Sequence, residues 1–183
     1  MTNFVSAQAL AAAPPYVLEA PKSQGLIRIL CTRPRPNQRV FPERITLTRE
    51  GSVEGDFEMN RPWLKLDDSR PDPRIQVSIL PLRVLDLVWR DRAGQAHPRD
   101  TIIADFDLSL TNLPTNSLVR IGTAVLRVSD ICNDGCLKWK VRYGWPAVAL
   151  IAAPEHEQLR LRGILCSVEQ DGEVAIGDMM HRL

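Results

Sequence analysis

The chain has 183 residues, of which 44% are hydrophobic and 25% are charged, as is typical of a folded globular protein and not of a disordered one. This length favours one domain with one substantial core. The 23 Lys and Arg residues nearly balance the 22 Asp and Glu residues, and aromatic residues make up only 5%, so no nucleic-acid surface is expected.

The first 24 residues are predicted to form an N-terminal arm that is ordered only by docking. They include Pro14-Pro15 and end in a polar stretch. They lack the basic and continuous apolar regions of a secretory signal, and no stretch of the sequence reaches the roughly 18 apolar residues of a membrane span. Four cysteines beside this much apolar material indicate free thiols and not a disulfide scaffold. A cytoplasmic protein without membrane contact is therefore expected.

Residues 25–183 are predicted to form a mainly β domain. Runs of apolar or alternating residues predict short strands at 25–31, 45–48, 75–80, 101–110, 118–126, 163–170 and 173–180. One helix is predicted to begin at Pro81, because apolar residues from Leu82 to Trp89 recur at three- and four-residue spacing. In the first strand, Ile27, Ile29 and Cys31 are expected to share one apolar face.

Glycines mark the turns of this predicted sheet. Ile121-Gly122 and Ile176-Gly177 interrupt strand-like runs, as expected where a chain bends at the rim of a curled sheet. Asp171-Gly172 predicts a two-residue hairpin between the last two strands. The Gly51–Asp56 segment contains two glycines and predicts a turn or a binding loop. Many short strands with one clear helix favour a β-barrel with a few peripheral helices.

The residues best suited to chemistry lie in the segment 129–144. Cys136 follows a glycine turn and is close in sequence to Lys138, Lys140 and Arg142. Nearby cations, and a helix N-terminus if one begins here, favour a thiolate, which can act as a nucleophile or a soft metal ligand. The alternative is a buried and inert thiol.

The sequence contains no complete zinc-binding motif and none of the common catalytic motifs. Cys132 and Cys136 have the spacing of a zinc half-site or of a disulfide, but a structural zinc site needs two more ligands and the three histidines are isolated in sequence. No structural zinc is expected. The nucleophile-elbow, P-loop and His-Glu-x-x-His motifs are absent.

Three further candidates lie beside glycines. Asp56 and Asp178 each follow a glycine, for which a role in a turn is the simpler interpretation. Arg162 precedes Gly163, and an arginine next to a glycine can bind an anion together with the backbone, although an ordinary surface arginine is the alternative.

Several of these motifs, in order along the chain, resemble those of the MOSC domain, which is found at the C-terminus of molybdenum cofactor sulfurases and in small stand-alone bacterial proteins. The matching segments are the strand 25–31, the Gly-Asp loop 51–56, the strand 76–79, the Ile-Gly element 118–122, Cys136-x-Lys138 with 142–144, the Leu-Arg-Gly segment 161–163 and the closing segment 172–178. The characteristic cysteine of the family falls on Cys136.

The resemblance implies a β-barrel whose mouth accepts the molybdenum cofactor, in which molybdenum is held by the dithiolene of a phosphorylated pterin, molybdopterin. It implies that Cys136 is the metal ligand and the catalytic residue. The cofactor-binding residues that it implies are Lys138, Arg142, Arg162, Asp56 and Asp178. The chemistry agrees, because a thiolate is a soft ligand and Lys or Arg can neutralise a phosphate.

The activity that the resemblance implies is reduction of N-hydroxylated or other N-oxygenated compounds, with electrons from a separate redox partner. Two alternatives are a persulfide carrier for metal–sulfur cofactor assembly, through Cys136, and a non-catalytic binding module. The chain departs from the stand-alone members in two segments. It has Phe57-Glu58 where a histidine usually follows the Gly-Asp, and 99–102 replaces the usual Asn-containing element.

Overall fold

The computed structural model describes residues 4–134 and 137–183. Its strands are β1 (Gln24–Leu30), β2 (Arg44–Thr48), β3 (Ser52–Val53), β4 (Val77–Pro81), β5 (Ile102–Asp105), β6 (Leu118–Ile121), β7 (Ala124–Val128), β8 (Ile164–Gln170), β9 (Gly172–Ala175) and β10 (Met179–Arg182). Its α-helices are α1 (Ala7–Ala11), α2 (Pro14–Leu18), α3 (Leu82–Val88) and α4 (Leu137–Ala152). None of the helices in these residues is long and apolar enough to cross a membrane.

Seven strands close into a barrel in the order β1-β10-β6-β7-β8-β4-β5, with β5 pairing back to β1. Every pair is antiparallel except β4 with β5, which are parallel. The remaining strands form a small sheet in the order β3-β2-β9. The predicted mainly β fold, a barrel with a few short helices, is therefore confirmed.

The barrel interior is a continuous apolar cluster. It includes side chains from β4, β5 and β7 such as Ile79, Ile102 and Leu126, which are fully buried. Alternation along these short strands puts one face inside, where burial of each large aliphatic side chain stabilises the fold by roughly 1.5–3 kcal/mol. The small sheet contributes Leu47 and Val174 to the same cluster.

A second apolar cluster lies outside the barrel, between its wall and the helices. It contains Leu10 of α1, Leu85 of α3, and Trp139 and Tyr143 of α4. Ile103 of β5 belongs to this cluster and is fully buried, so the face of β5 that carries Asp105 is partly covered by helices. The N-terminal arm thus forms two short helices that dock on the domain.

The predicted strands 118–126 and 173–180 each form two strands separated by a turn, and three further elements differ from their predictions. In β1 a bulge between Ile27 and Ile29 shifts the alternation, so Leu30 is fully buried and Ile29 is only half-buried. The predicted hairpin at Asp171-Gly172 is wrong, because both edges of β8 pair with β4 and β7, and β9 pairs with β2 instead. The helix α4 was not predicted.

Candidate functional site

A cavity of about 660 Å³ opens at one end of the barrel, where β1 and β7 end and β5 and β8 begin. The first half of α4 and the segment 58–63 form two of its walls. The cationic residues that line it are Arg33, Arg99, Lys138, Arg142 and Arg162. The acidic residues that line it are Glu58, Asp100, Asp130 and Asp134.

Arg33, just after β1, is fixed in place by three groups. Its Nε donates to Oδ2 of Asp56 at 2.8 Å, and the side chain of Asp56 is only 2% exposed. Its Nη1 donates to the backbone oxygen of Arg99 at 2.9 Å and its Nη2 to Oγ1 of Thr101 at 3.2 Å. Asp56 therefore holds Arg33 from behind and is not itself among the residues that line this cavity.

Arg99 and Glu58 both line the cavity, and their side chains form an ion pair. The backbone of Arg99 has a φ of +87°, a conformation that costs a non-glycine residue on the order of 1–3 kcal/mol. Burial, followed by repulsion from Arg33, lowers the pKa of the Arg99 guanidinium. Glu58 thus offsets the positive charge of Arg99, which is partly buried, is repelled by Arg33 and has a positive backbone φ.

Arg162, at the turn before β8, lies between the carboxylate of Asp100 and the ring of Trp139. Its Nη1 donates to Oδ1 of Asp100 at 2.8 Å, and its guanidinium carbon lies 4.8 Å from the centre of the Trp139 ring. This pairing is incomplete, because Nε of Arg162 and Oδ2 of Asp100 are buried without a hydrogen-bond partner among the described residues. The cavity wall therefore contains one donor and one acceptor that are not satisfied by the protein.

The helix α4 brings two further cations to the cavity. Lys138 is exposed at its rim, and Arg142 donates from Nη1 to the backbone oxygen of Pro98 at 3.0 Å. The buried Trp139 and Tyr143 anchor this part of α4, and the hydroxyl of Tyr143 donates to the backbone oxygen of Ala96 at 2.8 Å. The segment 96–100 and α4 are therefore fixed relative to each other.

The cysteines fall into two groups. Cys136 lies outside the described residues, but Asp134 and Lys138, which flank it in sequence, both line the cavity. Cys132 is exposed and also lines the cavity. Burial raises the pKa of Cys31 to about 11 and that of Cys166 to about 12, so both remain protonated, inert thiols at neutral pH.

The structure brings three of the sequence candidates to one cavity, namely Lys138, Arg142 and Arg162. Asp178 is in a different place, in the turn between β9 and β10, where its Oδ2 accepts from the backbone N–H of Ala175 at 2.7 Å. Within the described residues, no cluster of three or more His, Cys, Asp or Glu side chains could hold a metal ion.

Sequence reasoning missed Arg33, Arg99 and Asp100 as site residues. The sequence did point to Arg99 and Asp100, because 99–102 is one of the two segments that depart from the MOSC pattern. Arg33 had no such signal, since only the pairing of β1 with β5 brings it beside Thr101.

Chemically, this arrangement can bind a polar anion that also carries N–H groups. Lys and Arg side chains offer N–H donors for phosphate oxygens. The free oxygen of Asp100 can accept from a ligand N–H, and the free Nε of Arg162 can donate to a ligand acceptor.

Comparison with known proteins finds relatives in structure only. No protein-family model matches the sequence, and no curated protein matches it. A YuaD protein from Bacillus subtilis matches over 86% of this chain and 94% of its own, with a TM-score of 0.63 and 17% identity. YiiM from Geobacillus stearothermophilus matches over 87% of this chain and 75% of its own, with a TM-score of 0.52 and 14% identity.

YiiM from Escherichia coli, a MOSC-domain protein, matches over 86% of this chain and 69% of its own, with a TM-score of 0.51 and 16% identity. At these identities the likeness shows the fold alone. The chain has a MOSC-type β-barrel fold.

Proposed function

We propose that the chain binds the molybdenum cofactor in the cavity at the end of its barrel and reduces N-hydroxylated or other N-oxygenated compounds. The MOSC-type fold supports this proposal. The observation that carries it is the incomplete pairing of Arg162 with Asp100, which leaves a buried donor and a buried acceptor in the wall of a cavity lined by both cationic and acidic side chains. A phosphorylated pterin has acceptors and N–H donors for both.

The residues present fit this group. Lys138, Arg142 and Arg162 would offer N–H donors to its phosphate, and Asp100, whose Oδ2 has no hydrogen-bond partner among the described residues, would offer an acceptor for an N–H of its pterin. Cys136 is the proposed metal ligand, because it lies in sequence between two residues that line the cavity. Asp178 has no part in this proposal, and Asp56 acts by holding Arg33.

The bound group would supply a metal that can exchange two electrons with the substrate. The protein's own contribution is to bind and orient it. Reduction of N–OH to N–H consumes two electrons and two protons and releases water. The electrons must come from a separate carrier.

The test is elemental analysis by mass spectrometry of protein purified from a host that makes the cofactor. The wild type is expected to contain near-stoichiometric molybdenum, and Cys136→Ser to lose it with the fold intact. Cys132→Ser is the matched control, since it removes a nearby thiol that lines the same cavity. Loss of molybdenum in Cys132→Ser, or its retention in Cys136→Ser, would show that the wrong thiol was assigned.

Lysine variants of α4 test the same proposal in the same assay. Lys138→Ala removes a cation that lines the cavity and Lys140→Ala removes one that does not. Both side chains are exposed, so neither change should alter stability by more than about 0.5 kcal/mol. Only Lys138→Ala is expected to lower molybdenum content. No molybdenum in any of these proteins, with a persulfide on Cys136 in intact-protein mass spectra, would favour the sulfur carrier.

A further inference from the structure

The first half of α4 exposes an apolar stripe to solvent. It consists of Leu137, Val141 and Trp145, which are 74%, 69% and 62% exposed. Leu137 and Val141 are four apart and share one face of the helix. Trp145 follows Gly144, whose φ of +85° breaks the helix, and its ring adjoins this face beside Lys140. The core is on the other side of the helix, where Trp139 and Tyr143 are buried. The α4 stripe therefore takes no part in the packing of the residues that the structure describes.

Cations lie on both sides of the α4 stripe. At 100° per residue, Lys138 falls to one side of the stripe and Lys140 to the other. The ammonium of Lys140 lies 5.1 Å from the centre of the Trp145 ring. Residues 137–145 contain three cations and no acid. A binding partner that complements this surface therefore has an apolar patch surrounded by acidic groups.

The α4 stripe is close to the candidate site. The same two turns of α4 carry Lys138 and Arg142, which line the cavity. The stripe and the cavity are thus separated by about one helix diameter, or about 10 Å. A molecule that docks on the stripe reaches the rim of the cavity without entering it.

We propose that the α4 stripe is the docking surface for an acidic electron-carrier protein, an inference that rests on the proposed reduction. The carrier, a flavin or iron–sulfur protein, would be oxidised as two electrons pass to the site, where N–OH and two protons become N–H and water. Three exposed side chains form a patch of a few hundred Å², which is small for a stable complex but suits transient electron-transfer encounters. A second copy of the chain is a poor occupant, because a symmetric contact would bring lysines against lysines.

The experiment compares two electron donors on the cofactor-loaded protein with an aryl amidoxime as substrate. Reduced flavodoxin, an acidic FMN protein, requires docking, whereas reduced methyl viologen does not. The docking variants are Trp145→Ser and Lys140→Glu. The matched controls are Ile176→Ser and Lys22→Glu, which make the same kinds of change at exposed residues away from α4.

The docking variants are expected to raise the KM for flavodoxin about tenfold, while the viologen-driven rate and both controls stay at wild-type values. The KM for flavodoxin is expected to rise with ionic strength, since charge pairs at a rim are screened by salt. Unchanged KM in the docking variants would overturn the proposal. So would an equal loss with both donors, because that would assign the effect to the cavity.

Failure of the proposed reduction would be recognised separately, as absence of turnover with viologen. Docking is then measured by NMR, from the chemical shift of the Trp145 indole N–H during titration with oxidised flavodoxin. A shift change that disappears at high salt supports docking on the α4 stripe, and no shift change overturns the proposal. Binding to phosphatidylserine-containing vesicles that is lost in Trp145→Ser, without any effect of flavodoxin, would overturn it in favour of a membrane surface.

Discussion

The segment before β5 places a buried imidazole directly behind the candidate site. His97 is 2% exposed, and its ring packs edge-on against Phe41 and Trp89. Its Nδ1 accepts a hydrogen bond from the backbone N–H of Arg99 at 3.2 Å, so the proton of the neutral ring is on Nε2. Burial lowers the pKa of His97 to about 4, which keeps the ring neutral at physiological pH.

This buried histidine predicts a pH-dependent stability. In the unfolded chain its pKa returns to about 6.5, so the unfolded state binds a proton first as pH falls. The free energy of unfolding is therefore expected to decrease by about 3 kcal/mol between pH 6.5 and pH 4, and to lose no more from this group below pH 4. Urea unfolding at a series of pH values measures the slope.

A variant isolates the contribution of His97 from that of other groups. His97→Asn keeps an acceptor for the Arg99 N–H and should abolish most of the slope, whereas His156→Gln should retain it. Interactions with arginines lower the pKa values of Asp72 and Asp171 below their usual range, so these carboxylates titrate beneath this window. An undiminished slope in His97→Asn would assign the proton uptake to another residue.

Some residues of the candidate site could be predicted from the sequence and others could not. Lys138 and Arg142 are within six residues of Cys136 in sequence, so the resemblance to the MOSC domain was sufficient to select them. Arg33 and Asp100 are 67 positions apart, and they meet at one cavity only because β1 pairs with β5. The local sequence pattern does not show which distant strands will pair. For the same reason Asp56 was predicted as a site residue, but its partner Arg33 was not.

Among the elements, the start of β8 depends on a glycine that no other residue can replace. Gly163 has a φ of +87°, and a Cβ there would overlap the backbone oxygen of Ile79 in β4. Gly163→Ala is expected to reduce the free energy of unfolding by roughly 2–5 kcal/mol, from backbone strain plus a contact with main chain that cannot yield. Chemical denaturation of purified protein measures the loss.

Gly55→Ala separates strain from contact. Gly55 also has a positive φ, +76°, but no atom of residues 4–134 or 137–183 lies within 4 Å of a Cβ built on it. Its substitution should therefore cost only the conformational part, roughly 1–2 kcal/mol. Equal losses in the two variants would mean that the close approach of β4 to Gly163 contributes nothing.

Helices and strands whose apolar residues recur at the period of that structure were predicted. The helix α4, which forms because it packs against the barrel, was not. The pattern of leucines and valines predicted α3, and short strand-like runs predicted β2 and β8. The first seven residues of α4 alternate between apolar and charged side chains, which is the period of a strand, and Gly144 and Pro146 follow. Packing against the barrel wall overrides that pattern before Gly144, where Trp139 and Tyr143 are buried four residues apart. Ala147 and Leu150 are buried after the break in the helix at Gly144.

In the molecule as a whole, the barrel and the helices have separate cores that share a wall. Ile102 and Ile103 are neighbours in β5, yet one belongs to the barrel interior and the other to the cluster beneath the helices. Because Trp139 and Tyr143 of α4 also lie in the second cluster, whatever stabilises that cluster stabilises the wall of the cavity.

The N-terminal arm is part of that support. Ser6 caps α1 by accepting from the N–H of Ala9 at 3.2 Å, and Leu10 of α1, 2% exposed, packs in the cluster with α4. Leu10→Ala is expected to reduce the free energy of unfolding by about 2–4 kcal/mol, since the removed side chain leaves a cavity between helix and barrel. Leu18→Ala, at a leucine of the same arm that is 48% exposed, should cost less than about 0.5 kcal/mol. Equilibrium urea unfolding distinguishes the two, and near-equal stabilities would mean that the arm packs on α4 without contributing to the fold.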